Sequence, residues 1–454
     1  GWCDDRFLWV KREFERSLEE GREIGAQVAA YANGELVVDL WAGSVDHFDT
    51  SSVPEACSQG AGGNTCPPLD PDKEYMNAMT GETVVPIFSS GKVGESLVMG
   101  LLSDRGLLDL GDRVATHWPQ FAANGKESIT VADLMRHQGG LAMPDEGFRV
   151  EDIQDPKKID KQLARQHLHY TPESGRAPQL YHAVTRGMYA NELVRRVDPM
   201  HRNLGTYFRE EVAEKYDIDS FFLGISDAEW RRVPVGKSGD LAYLYWLKLL
   251  LQYLVPFHAS ARSFVVAGDA HDTLLEFEAA TGYNVLKRLL TGDWRLVRAA
   301  VGSVKGTVVG MTGMEDFNNK DFLQLQMSSA NGLANARSMA KLGNLMLKKA
   351  GDGGAFASEE GWRRANEPGE RQPDYGVQMD VAYTACGWGV DRFSTAGLSG
   401  WSGWAGASGS VLQWNEALGL SFAYTTVLPY GRIGKPRGER LMKALVRAAG
   451  GWVK

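Results

Sequence analysis

The chain has 454 residues, 43% of them hydrophobic and 23% charged, which suits two large domains or one domain with a big insertion and excludes a disordered or collagen-like chain. A net charge of -8 with no Lys/Arg-dense stretch argues against a nucleic-acid partner. Four cysteines, with no Cys-x-x-Cys pair among them, are too few for a disulfide scaffold.

From Asp5 to Glu20, Phe7, Val10, Phe14 and Leu18 recur at helical spacing and predict an amphipathic helix. Ala26–Tyr31 and Glu35–Trp41 flank Asn33-Gly34, the strongest short hairpin signal. Residues 43–80 are rich in Gly, Ser, Pro and Asp and read as an irregular insertion. Within it, Cys57 and Cys66 bracket a loop that a disulfide could close, or they are two free thiols. The bridge would imply a secreted or organellar setting and its absence a cytoplasmic one. No signal or transit peptide is visible, and a start at Gly1 rather than Met fits a trimmed N-terminus, so the compartment stays open.

The stretch from Pro86 to Leu102 turns an apolar run into a helix at a hydroxyl. Ser89 and Lys92 are three residues apart, so the hydroxyl and the amine share one helix face. A serine needs a neighbour that takes its proton, and a lysine can do so if burial lowers its pKa. Alone, the pair also fits a helix cap followed by a snorkelling lysine. Downstream lie Leu107-Leu108-Asp109-Leu110 and Ile129–Leu141, where Thr130 and Asp133 make a capping box for a short helix ending at Gly139.

The order Ser-x-x-Lys, Leu-Leu-Asp-Leu-x-Asp, Ile-Thr-Val-x-Asp-Leu-Met-x-His-x-x-Gly-Leu resembles the serine beta-lactamase-related family. That family comprises class C beta-lactamases, family VIII esterases, D-amino-acid peptidases and eukaryotic beta-lactamase-like proteins. The resemblance covers about residues 6–142, 172–225 and 327–447. It implies an α/β fold of the beta-lactamase/transpeptidase type, an antiparallel sheet flanked by helices with a helical domain inserted. On that pattern 1–115 and 326–454 form the α/β domain, and 116–325 the mainly helical one, with a divergent insertion at about 226–325. No metal or cofactor is implied.

The family's second element is a catalytic tyrosine, and two are on offer. Tyr189-Ala190-Asn191 matches the lactamase triplet, but Met188–Val197 reads as a continuous helix. Tyr181-His182-Ala183 follows a loop containing Pro172, Gly175 and Pro178, resembles the esterase branch, and is the preferred reading. A tyrosine beside a lysine can have its pKa lowered from about 10 and relay protons to and from Ser89. His182 reads as a substrate contact or as a hydrogen-bonded packing histidine. His167 and His169 form a His-x-His pair with no obvious carboxylate partner and read as surface residues.

Helices are expected over Leu204–Lys215, 241–257, Asp272–Leu290 and Asp293–Val301. The 241–257 stretch is short for a membrane span and carries Lys248 and Gln252, so it reads as a buried or pocket-bordering helix, with a membrane-surface contact as the alternative. Asn331 and Arg337 read as structural through backbone hydrogen bonds. Cys386–Val390 reads as a strand, Val411–Trp414 and Leu418–Tyr424 as a hairpin, and Arg437–Ala449 as a closing helix.

Trp404-Ala405-Gly406 aligns with the family's Lys-Thr-Gly motif. The resemblance then makes the backbone N–H groups of Ser89 and Ala407 the oxyanion-hole donors, with Trp404 and Gly406 lining the substrate site. Tryptophan and alanine offer neither cation nor hydroxyl for a carboxylate, so an uncharged acyl group is favoured over a beta-lactam. The implied activity is hydrolysis of a small-molecule ester through an acyl-enzyme on Ser89. Amide or peptide hydrolysis, or acyl transfer, would use the same residues. A non-catalytic assembly subunit, a homo-oligomer through the 241–257 surface, is the alternative from another class.

Overall fold

The computed structural model describes residues 1–20, 23, 25–45, 78–170, 178–230, 233, 298, 302–303, 307–310, 319–349, 352–377, 379–391, 399–427 and 436–450. Cys57 and Cys66, Pro172 and Gly175, the 241–257 stretch, the helix expected over Asp272–Leu290 and all but residue 298 of that over Asp293–Val301 lie outside the described residues.

The chain opens with a short strand β1 (Trp2–Cys3), helix α1 (Leu8–Glu19) and a hairpin of β2 (Gly25–Ala32) and β3 (Glu35–Gly43). Asn33 and Gly34 turn the hairpin with φ of 50° and 88°, the left-handed pair that matches strand twist. Strand β4 (Val85–Pro86) leads through a 3-10 turn at Phe88–Gly91 into α2 (Lys92–Asp104), which is buried from Lys92 to Leu102. Helix α3 (Val131–Met135) carries the expected capping box of Thr130 and Asp133. It stops short of Gly139, because His137 adopts a left-handed φ of 64°.

Helix α4 (Thr185–Val197) begins four residues after Tyr181. The helix expected over Leu204–Lys215 is α-helical only to Phe208 and continues as a π-helical segment over Arg209–Ala213. Strands β5 (Phe221–Leu223) and β6 (Gly332–Ala334) pair with β4 in the order β4-β6-β5. Helix α5 (Ala336–Leu347) follows. Then come β7 (Gln372–Asp374), β8 (Met379–Tyr383), β9 (Gly389–Val390), β10 (Trp401–Ala405), β11 (Val411–Asn415), β12 (Leu420–Thr426) and helix α6 (Pro436–Ala448). The strand read at Cys386–Val390 is shorter than expected, since Gly387 turns the chain at φ 96°.

The main sheet has nine strands in the order β1-β3-β2-β12-β11-β10-β9-β8-β7, with antiparallel neighbours throughout. Side chains alternate across it. Val28, Ala30, Phe422 and Tyr424 face α1 and α6, against Val10, Phe14, Leu441 and Leu445. Ala29, Leu412, Trp414 and Ala423 face the other way, into the larger core with α2, α4 and α5. The fold is thus a mixed α/β one, an antiparallel sheet flanked by helices. Among the described residues no helix is long and apolar enough to cross a membrane. Asn331 donates to the carbonyls of Phe322, Leu323 and Leu325 at 3.2, 3.3 and 2.7 Å. Arg337 uses carboxylates instead of the expected backbone acceptors, Asp39 and Glu82, each at 2.7 Å.

Candidate active site

Ser89 sits in the 3-10 turn one step before α2, and the residue before it, Phe88, is held at a φ of 47°. A left-handed phenylalanine costs on the order of 1–3 kcal/mol and persists only where its surroundings hold it. They do so through the β10–β11 turn. Ser410 Oγ donates to Ile87 O at 2.7 Å, and Ser90 Oγ lies 2.9 Å from Ser410 Oγ. Ile87 N also donates to Gly332 O at 2.9 Å, tying the turn to β6. Gly406 explains the closeness: a Cβ built there would lie 2.1 Å from Ile87 O. The segment bearing Gly406 and Ala407 therefore packs directly on the segment bearing Ser89. Among the described residues no main-chain acceptor takes the Ala407 N–H.

Tyr181 Oη donates to Ser89 Oγ at 2.6 Å. Lys92, fully buried at the first position of α2, donates from Nζ to the carbonyls of Ala183 at 2.7 Å and Ser329 at 2.8 Å. Its Nζ lies 4.8 Å from the centroid of the Tyr181 ring. Ser89, Tyr181 and Ala407 are half-buried, whereas Lys92, Trp404 and His182 are sealed from solvent. Tyr189, the other tyrosine, is buried edge-on to Phe121 at 5.8 Å, and burial pushes its phenol well up.

Trp404 was expected to line the acyl pocket. Its side chain is fully buried and instead backs the tyrosine: it stacks on Tyr181 at 5.9 Å and 24°, and on Tyr383 at 5.3 Å and 18°. Such aromatic pairs add about 0.5–1.5 kcal/mol beyond burial. His182 has both ring nitrogens occupied by backbone. Its Nε2 accepts from Leu141 N at 3.1 Å, so Nδ1 carries the proton and donates to Leu180 O at 2.6 Å. Burial pushes its pKa down to about 3 and keeps the ring neutral.

Several residues around the cluster escaped the sequence reading. Arg186 and Glu95 form a fully buried ion pair at 2.5 Å. Glu95 also accepts from Ser328 Oγ at 3.0 Å and Ser329 Oγ at 2.7 Å. Arg186 further donates to Gly387 O at 2.7 Å, Met135 O at 3.1 Å and Lys92 O at 3.3 Å. Full satisfaction is what makes a buried pair tolerable. The pair fixes Ser329, whose carbonyl holds Lys92. Asp374 accepts from the Tyr181 N–H at 3.0 Å. The turn signature Pro373-Asp374-Tyr375-Gly376 is visible in sequence; what docks on it is not.

The reading of the His-x-His pair is also corrected. His167 and His169 do have a carboxylate partner: Asp145 reaches His167 Nδ1 at 2.9 Å and His169 Nε2 at 3.2 Å. His167 remains exposed, but His169 is largely covered. Among the described residues no group of three or more His, Cys, Asp or Glu is arranged to hold a metal ion.

Esterase/beta-lactamase LipL of Mycobacterium tuberculosis (strain ATCC 25618 / H37Rv) is 32% identical over 244 residues, 53% of this chain and 49% of LipL, so the match spans about half the length of that relative. A family VIII carboxylesterase crystal structure superposes with a TM-score of 0.69 at 23% identity, with 99% of each chain covered. A penicillin-binding protein homologue from Caulobacter crescentus gives 0.67 at 25% identity, again with 99% of each chain covered. The family model described as Beta-lactamase matches residues 10–445, a span that includes the whole Ser89 cluster. By that match, and with the antiparallel sheet and flanking helices expected of it, the chain belongs to the Beta-lactamase family.

Proposed function

We propose that the protein is a serine hydrolase that cleaves small carboxylic esters through a covalent acyl-enzyme on Ser89. The observation that carries this reading is the 2.6 Å hydrogen bond between Tyr181 Oη and Oγ of the half-buried Ser89, with Nζ of the buried Lys92 beside the same ring. A cation near a phenol favours loss of the phenol proton, which leaves Tyr181 able to take the proton of Ser89 as Oγ attacks the acyl carbon. The N–H groups of Ser89 and Ala407 receive the developing oxyanion. The alcohol leaves with the proton, and water, deprotonated by the same tyrosine, then releases the acid. Gly406 contributes by allowing Ala407 to approach Ser89, and Trp404 and His182 by fixing the loop that carries Tyr181.

The strand that ends at Trp404-Ala405 offers no cation or hydroxyl at those two positions to hold a substrate carboxylate, which favours uncharged acyl groups over beta-lactams. LipL carries both activities in its name, so both are assayed. Purified protein is expected to turn over short-chain p-nitrophenyl esters, to hydrolyse a chromogenic cephalosporin poorly, and to lose ester turnover in Ser89→Ala. Ester turnover that persists in folded Ser89→Ala refutes the reading. So does its absence from the folded wild type.

A further inference from the structure

We infer that Asp374, a buried carboxylate at the tip of the β7–β8 hairpin, is a positioning residue that sets the hydroxyl of Tyr181 on Ser89; the inference rests on the proposed role of Tyr181.

Asp374 is fully buried and, among the described residues, accepts hydrogen bonds from four neutral donors. Oδ1 takes the N–H of Tyr181 at 3.0 Å and those of Gly376 and Val377 at 2.8 and 3.2 Å. Oδ2 takes the hydroxyl of Tyr383 at 3.0 Å. The Gly376 and Val377 bonds close an Asx turn, an ordinary use of aspartate. The other two are not local. Tyr181 is 193 residues away in sequence and contributes its main chain, so the carboxylate fixes the backbone that aims the ring. Tyr383 stacks on Trp404, which stacks on Tyr181, so the second oxygen fixes the far side of the same aromatic sandwich. One carboxylate thus grips Tyr181 from the backbone and, through two rings, from behind.

The hairpin tip fits the tyrosine closely. A Cβ at Gly376 would lie 2.6 Å from Tyr181 Cβ and 2.8 Å from its N. Further support comes from Tyr375 N, which donates to Gln179 O at 2.9 Å, and from Gln179 Nε2, which donates to Val381 O at 3.1 Å. Segment 179–181 is therefore laced along the hairpin. Among the described residues no cation pairs with Asp374; a carboxylate buried so is an expensive way to make a turn, and burial indeed pushes its pKa up. Placement of Tyr181 accounts for the expense.

The test measures kcat and KM on a p-nitrophenyl ester for Asp374→Ala and Asp374→Asn, each alone and with Tyr181→Phe, alongside wild type and Ser89→Ala. Displacing a reacting group by about 1 Å costs up to about 100-fold. Asp374→Ala is expected to lower kcat by about 10- to 100-fold with little change in KM. Asp374→Asn, whose amide oxygen still accepts the three N–H groups, recovers most of that loss. On the residual rate of Tyr181→Phe, Asp374→Ala costs nothing more, because its effect passes through the missing hydroxyl. If Asp374→Ala does not fold, Gly376→Ala is used, which leaves the carboxylate in place and pushes on Tyr181; the same kcat loss and non-additivity are expected. Full activity in folded Asp374→Ala or Gly376→Ala, or an equal loss with and without the Tyr181 hydroxyl, overturns the inference while Ser89→Ala stays inactive. Undiminished turnover in Ser89→Ala instead overturns the proposed function itself.

Discussion

His182 is a buried residue whose environment solution pH reads out. Its imidazole is neutral in the fold, with a pKa pushed down to about 3 from an ordinary 6.5. The unfolded chain binds a proton below pH 6.5 that the folded chain refuses, so stability is full above 6.5 and falls as pH drops from there towards 3. Between pH 7 and 5 the loss is about 2 kcal/mol from this group alone. Thermal midpoints measured across that range should fall in the wild type and fall less in His182→Gln, which can still accept from Leu141 and donate to Leu180. Equal acid sensitivity in the two proteins would remove His182 as the cause. Ser89 and Lys92 were legible at this scale because their relation is local, three residues apart on one helix. The choice of Tyr181 over Tyr189 rested on one being in a loop, within a triplet that resembles the esterase branch, and the other in a helix. The pairing of Glu95 with Arg186, 91 residues apart, and of Asp145 with His167 has no local pattern and was missed.

At the scale of elements, the site depends on how closely the end of β10 lies on the turn that carries Ser89. Gly406 sits where a methyl would meet the carbonyl of Ile87 at 2.1 Å, and backbone cannot yield as a flexible side chain can. Gly406→Ala is therefore expected to part the two segments by roughly an ångström and lower kcat by about 100-fold, with the remaining core intact. An unchanged kcat for folded Gly406→Ala would mean that the approach of these segments is not needed for turnover. Strands with a period-2 pattern or an Asn-Gly turn were readable directly, as were the α3 capping box and the amphipathic α1 and α6. Elements ended by an unusual backbone were not. The helix expected to reach Gly139 stops at Met135, two residues before His137, and the strand expected from Cys386 is displaced by Gly387, with His137 and Gly387 both at positive φ. The β7–β8 hairpin went unread: its strands are three and five residues long, too short to give a pattern.

Across the whole molecule, the sheet separates two apolar layers, and the residues of the Ser89 cluster belong with only one of them. Lys92, Arg186, Trp404 and Asp374 come from α2, α4, β10 and β7, elements contributed by widely separated parts of the chain. The fold was legible because several motifs in fixed order identify it, whereas the linkage among these elements is a property of the assembled structure alone. Under the proposed function, this assembly makes Ser89 a nucleophile. The most direct measurement is reaction of the purified chain with a fluorophosphonate, followed by peptide mass spectrometry. One phosphonyl group is expected on Ser89, formed in the wild type and not in Ser89→Ala, and slowed in Tyr181→Phe. A folded wild type that stays unlabelled at Ser89, or a label that persists on another serine when Ser89 is replaced, would contradict it.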